Sequence, residues 1–133
     1  MKTIFEKIID REIPADIVYE DDICIAFLDI APVKKGHVLL VSKSPYPWIQ
    51  EVPNDELFHM MTIVKRIIYA MKSKLAADYV KVSIVGTEVP HFHIHLIPYL
   101  FSDKILNSHT RKNESYEPGE SVDYVQKIKT GLL

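Results

Sequence analysis

The stretch Pro90-His91-Phe92-His93-Ile94-His95-Leu96-Ile97-Pro98 alternates imidazole and apolar side chains without a break. Side chains of a strand point to opposite faces with a period of two, which predicts a strand with His91, His93 and His95 on one face. Phe92, Ile94 and Leu96 then face a core. Each flanking proline suits a strand end, where its missing N–H costs little. A buried imidazole needs a hydrogen-bond partner, and a row of three implies a site.

Three readings of that row are open. Neutral imidazole is a common metal ligand, and neighbours at i and i+2 can share an ion. With a rise of roughly 3.3 Å per residue, however, the outer Cα atoms stand about 13 Å apart, so a straight row converges poorly on one metal. No Cys-x-x-Cys or His-Glu-x-x-His supplies further ligands. The second reading is nucleophilic attack on phosphorus. One imidazole attacks while its neighbours donate to phosphate oxygens and to the leaving group, and near neutral pH such a row can hold both neutral and cationic members. The third is a set of satisfied structural histidines.

Working outward, Thr3-x-x-Glu6 reads as a capping box that opens a short helix with Ile4, Phe5, Ile8 and Ile9 on its apolar side, ended by Pro14. Asp16–Glu20 and Ile23–Leu28 read as strands of a hairpin turning at Glu20-Asp21-Asp22, and 37–42 as a third strand. A long helix is expected from an N-cap at Asn54 to about Ala77, with Leu57, Met61, Val64, Ile68, Met71 and Leu75 as its buried stripe. Strands over 79–86 and 92–98 and a C-terminal helix over about 121–130, stopped by Gly131, complete the set. The class is α+β: an antiparallel sheet of about five strands, a short N-terminal helix, one long helix and a C-terminal helix. Residues 101–120 have little patterning and are read as a surface loop. His59 and His109 are read as ordinary surface or packing residues.

The bulk properties limit the alternatives. The 133 residues suit a single domain with a real core. Sixteen basic against eighteen acidic residues, net −2, make nucleic acid an unexpected partner. No apolar run is long enough to span a membrane and no signal-peptide pattern opens the chain. One cysteine, Cys24, excludes an internal disulfide, so a cytoplasmic location is expected.

His91-Phe92-His93-Ile94-His95-Leu96-Ile97 resembles the His-φ-His-φ-His-φ-φ signature of the histidine-triad (HIT) family. The resemblance continues through Thr3–Ile9, Glu12–Asp22, Ala26–Pro32 and Gly36–Val41 in the family's order. It covers about residues 3–100 of one HIT domain, with 101–133 as a C-terminal extension. By length and by Glu12-Ile13-Pro14-Ala15 it is most similar to the Hint-like branch, the nucleoside phosphoramidate hydrolases.

That resemblance implies a homodimeric hydrolase or transferase that cleaves nucleoside 5′-phosphoramidates or AMP-X conjugates of a purine nucleotide, with no cofactor or metal. It implies His93 as nucleophile of a covalent nucleotidyl-histidine intermediate, His91 and His95 bracketing the phosphate, and His37 as a fourth active-site histidine. Asp29 would accept hydrogen bonds from ribose hydroxyls. Ile4, Phe5, Ile8, Phe27 and Ile30 would line the nucleobase pocket. The alternatives are a non-catalytic nucleotide-binding module and a dinucleoside polyphosphate hydrolase.

The departures from the family pattern are specific. Thr3 and Glu6 stand where many relatives carry a zinc-binding Cys-x-x-Cys, and Ser42-Lys43-Ser44-Pro45 replaces Pro-Lys-x-His. The family's asparagine, glycine-rich loop and Gly-Gln-Ser-Val become Ser83–Val89, with Glu88 where a phosphate-contacting serine usually stands. Contact to phosphate is then expected from the Thr87 hydroxyl and the local backbone through Val89. Strand parity puts Glu88 opposite the histidine face unless a turn at Gly86 resets the phase.

Overall fold

The structure, a computed structural model, describes residues 1–103 and 113–133. In chain order it comprises α1 (Ile4–Ile9), β1 (Ile17–Glu20), β2 (Cys24–Leu28), β3 (Val38–Ser42), a 3-10 turn at Ile49–Glu51, α2 (Asn54–Lys74), β4 (Tyr79–Ser83), β5 (His93–Tyr99) and α3 (Glu120–Gly131). His109 and the middle of the 101–120 loop lie outside the described residues.

The five strands form one antiparallel sheet in the order β1-β2-β3-β5-β4. Leu39 pairs with His95 and Val41 with His93, while Phe27 pairs with Leu39 and Ile25 with Val41. Partners directly opposite share a face. One face therefore presents Ile25, Phe27, Leu39 and Val41 beside the histidines, and α1 covers part of it with Phe5 and Ile8. The other presents Cys24, Ala26, Leu28, Val38, Leu40, Ile94 and Leu96 to α2 and α3 and forms the main core.

The capping box is present in both directions: Glu6 N–H donates to Thr3 Oγ1 and Thr3 N–H donates to Glu6 Oε1. Helix α1 nevertheless ends at Ile9, before Pro14, because Arg11 adopts left-handed backbone at φ 63°. Strand β5 runs one residue past Pro98, which pairs with Val80 inside the ladder.

Helix α2 corrects the expected stripe. Its buried side chains are Met60, Ile63, Val64, Ile67, Ala70 and Met71, whereas Met61 is exposed and Leu57, Ile68 and Leu75 lie at the margin. Apolar residues occupy more than one face of this helix, so helical periodicity alone admits two adjacent stripes. Packing on the sheet selects one. Pro53, rather than Asn54, is the N-cap, and Ala76 in left-handed backbone at φ 56° follows the last turn. Gly131 is the final residue of α3 and not a stop beyond it. A Cβ there would meet Ala70 Cβ at 2.6 Å, so glycine permits the close approach of α3 to α2.

Candidate active site

The triad strand sets three imidazoles at different depths. His91 is fully buried, just before β5 begins. Its Nε2 lies 2.6 Å from the Ser42 carbonyl oxygen, which can only accept, so Nε2 carries the proton. Nδ1 is then an acceptor, and Thr3 Oγ1 donates to it at 3.0 Å. This corrects the expectation that His91 brackets a phosphate: it stands behind the site and lines no cavity there. Alternation predicts which face a residue takes, and the cover of α1 decides whether that position meets solvent.

His93 comes next. Its Nδ1 is 2.7 Å from the His91 carbonyl oxygen, so Nδ1–H donates and Nε2 of the neutral ring keeps its lone pair. The Phe5 ring packs against it with centroids 4.8 Å apart. His95 is fixed through His37. The Val33 N–H donates to His37 Nδ1 at 3.1 Å, which leaves His37 Nε2–H to donate to His95 Nδ1 at 3.0 Å. The remaining nitrogen of His95, Nε2, therefore carries its proton. Two adjacent rings thus hold opposite tautomers, one a free lone pair and the other a free N–H.

Burial favours the neutral forms of His37, His91 and His95. It pushes His37 down to about 3 and His95 down to about 4, with the neighbouring imidazoles adding to the effect and the Glu88 carboxylate opposing it at His95. His91 is lowered for the same first reason. Asp29 moves upward, through burial and then the Glu88 charge.

His93 and His95 open onto two cavities. The larger, about 220 Å³, is walled by Ile4, Phe5, Ile8, Phe27, Ile30 and Val89, with Asp29 and Glu88 at its polar side. The smaller, about 110 Å³, is lined by Val85, Glu88, His93 and His95. Asp29 follows β2, where its Oδ1 accepts from Ala31 N–H at 2.9 Å and its backbone N–H donates to the His37 carbonyl. Thr87 is exposed and lines neither cavity, contrary to its expected place at a phosphate. Glu88 lines both. Strand β4 ends at Ser83, so the alternation is lost before Glu88 and the parity argument does not reach it.

Sequence reasoning did not assign several residues that shape the site. Ile13, Pro14, Ala15, Leu28 and Leu39 wall the larger cavity. Leu39 had a signal, being two residues from His37 on the same strand face. Thr3 and Ser42 hold His91. Residues 113–116 brace the loop from Asp29 to His37: Asn113 donates to the Ala31 carbonyl, Glu114 N–H to the Pro32 carbonyl, and Gly36 N–H to the Tyr116 hydroxyl. Nothing local in the sequence announced that long-range contact. His59, read as ordinary, pairs with Asp21 at 2.6 Å on the hairpin turn, away from the cavities.

Thr3 and Glu6 offer no thiolate and are engaged in the capping box, so the N-terminal zinc of many relatives does not fit here. Among the described residues, ligand atoms gather within 4.8 Å at Asp21, Cys24 and His59 and at Asp29, His37 and His95. In the second group the His37 and His95 nitrogens that meet are committed to each other.

Comparison with known proteins gives a consistent result. The HIT domain family profile matches residues 10–100. An uncharacterized HIT-like protein of Methanocaldococcus jannaschii is 45% identical over 100 residues, covering 71% of this chain and 77% of its own. The purine nucleoside phosphoramidase of Escherichia coli is 38% identical over 104 residues, covering 72% of this chain and 86% of its own. Among solved structures, a HIT-like protein of Bartonella henselae superposes with a TM-score of 0.83 at 31% identity, covering 98% of this chain and 96% of that one. A zinc-bound histidine-triad protein of Mycobacterium smegmatis superposes with a TM-score of 0.82 at 25% identity, covering 99% and 94%.

Proposed function

The chain belongs to the HIT-domain family, and on that premise we propose that it hydrolyses nucleoside 5′-phosphoramidates, or related AMP-X conjugates, through a nucleotidyl-His93 intermediate. The observation that carries this is the pair of opposed tautomers on adjacent rings facing one cavity system. The likeness to a phosphoramidase adds support for a purine nucleotide.

In the first step the His93 Nε2 lone pair attacks phosphorus and the bond from phosphorus to the leaving nitrogen breaks. His95 Nε2–H hydrogen-bonds that nitrogen, which takes up one proton from solvent and departs as the amine. In the second step water attacks phosphorus, the bond to His93 Nε2 breaks, and the nucleoside monophosphate leaves with return of one proton. His91 holds His93 by its carbonyl, and His37 holds the tautomer of His95; both are positioning residues. Asp29 accepts from the ribose hydroxyls, and Ile4, Phe5, Ile8, Phe27, Ile30 and Val89 enclose the base. No step calls on a metal or cofactor.

We also take residues 1–133 as one domain, since α3 places Val125 and Ile128 in the main core. The domain acts as a homodimer: Phe58, Met61, Lys65 and Tyr69 share an exposed face of α2, and β4 is an exposed sheet edge. A cytoplasmic setting suits the buried Cys24 thiol, and among the described residues no helix is long and apolar enough to cross a membrane.

The test is release of AMP from adenosine 5′-phosphoramidate with chelator present. Wild type is expected to turn over and His93→Ala to lose at least about a thousandfold in kcat, as expected when a nucleophile is removed. AMP binding by a wild type that turns over no AMP conjugate would instead make the protein a binding module. Faster cleavage of diadenosine polyphosphate than of the phosphoramidate would redirect the substrate assignment.

A further inference from the structure

The smaller cavity is lined by both His93 and His95, and the hydrolysis proposed above sets the leaving group against His95. Its lining is unusual for a site that handles phosphate. Val85, Glu88, His93 and His95 form it, and Glu88 also reaches the larger cavity that contains Asp29. Two carboxylates therefore face the reacting centre, and neither cavity is lined by lysine or arginine. Lys81, whose charge also acts on His95, lines neither cavity.

The placement of Glu88 is specified by packing. A Cβ at Gly86 would run into the Trp48 ring, so only glycine lets the chain cross the indole face there. Three residues later the Val89 carbonyl accepts from the His91 N–H at 2.8 Å, closing a turn with Glu88 just before it. The loop is thus pinned on both sides of Glu88.

From this geometry we infer that the cavity bounded by Glu88, Val85 and His95 is an acidic leaving-group subsite, which selects conjugates whose leaving amine carries a second, cationic group and rejects anionic leaving groups such as polyphosphate. The inference rests on the hydrolase assignment and names its substrate class. Val85 provides apolar contact for a short alkyl stem, and Glu88 provides the counter-charge at its end. With His95 held mainly neutral near pH 7 by its surroundings, the carboxylate is not cancelled by an adjacent fixed cation. Glu88 is solvent-exposed at the cavity mouth, and an opposite or like charge about 4 Å away in water is worth roughly fivefold in affinity each way, so tenfold or more between a cationic and an anionic leaving group.

The experiment uses three AMP phosphoramidates of matched length, N-linked to pentylamine, to 1,5-diaminopentane and to 5-aminopentanoate. Wild-type kcat/KM is expected to fall in the order cationic, neutral, anionic, with roughly tenfold or more between the ends. In Glu88→Gln the ratio of the ends should collapse to about twofold, and in Glu88→Lys it should invert. Reading ratios within each protein removes any general loss of activity or folded fraction. A flat wild-type series with the neutral compound cleaved overturns the acidic subsite and leaves the hydrolase standing. So does a charge preference that survives in Glu88→Lys. No turnover of any compound overturns both.

Discussion

At the scale of single residues the site depends on which nitrogen of each ring holds its proton: backbone carbonyls make that choice at His91 and His93, and the Val33 N–H makes it at His37 and, through His37, at His95. The chain from Thr3 Oγ1 through His91 to the Ser42 carbonyl is the most exacting case, since every donor has one acceptor and His91 is wholly buried. Thr3→Val removes both the helix cap and the donor to His91 Nδ1. Unfolding in urea should show a loss of about 2 kcal/mol, and Thr3→Ser should restore nearly all of it. Equal stability of Thr3→Val and wild type would show that the contact does not hold His91. The row of imidazoles was legible because a period of two is a strong local signal. Its depth was not, because parity gives a face and only the cover from α1 removes His91 from the cavity. Glu88 was singled out by the sequence, but the face it takes was not legible for a related reason: the alternation stops at Ser83, and where the chain turns next depends on Trp48, distant in sequence.

At the scale of elements, α1 and β2–β3–β5 make the pocket while α2 and α3 make the core that holds the sheet in place. The boundaries of most strands were readable from β-branched runs and turn residues within a residue or two. The face of α2 was not, because Phe58, Met61 and Tyr69 give its outer side an apolar character as well. The selected face is directly testable. Met60→Ala should cost about 2–5 kcal/mol, as expected for emptying a core site, and Met61→Ala less than about 1 kcal/mol in the separated chain. Denaturant unfolding of the two variants checks this, and the reverse order would restore the stripe that periodicity alone suggested. At concentrations where wild type sediments with twice the chain mass, Phe58→Glu together with Tyr69→Glu should yield single chains. Unchanged sedimentation would move the dimer interface off this face.

At the scale of the whole molecule the buried neutral histidines couple folding to pH. His37 and His95 are depressed from 6.5 to about 3 and about 4. Below about pH 6.5 the unfolded chain binds protons that the folded chain refuses, so this part of the stability is full above that pH and drains away as pH falls toward those lower values. The unfolding temperature should therefore drop between pH 7 and pH 5, a window above the range in which ordinary carboxylates titrate. An unchanged midpoint across it would contradict neutral burial of these rings. If all 133 residues form one domain, Trp48 fluorescence and far-ultraviolet circular dichroism should report the same transition. The bracing of the Asp29–His37 loop by residues 113–116 joins the C-terminal segment to the same unit, a contact no local pattern in 101–120 foretold. Most direct of all is to trap the covalent intermediate. Wild type mixed with adenosine 5′-phosphoramidate and chelator, quenched rapidly in alkali and digested, should yield one adenylylated peptide with the group on His93, absent from His93→Ala. Turnover that continues in His93→Ala, or an adduct on any other residue, would contradict the assignment of His93 as nucleophile.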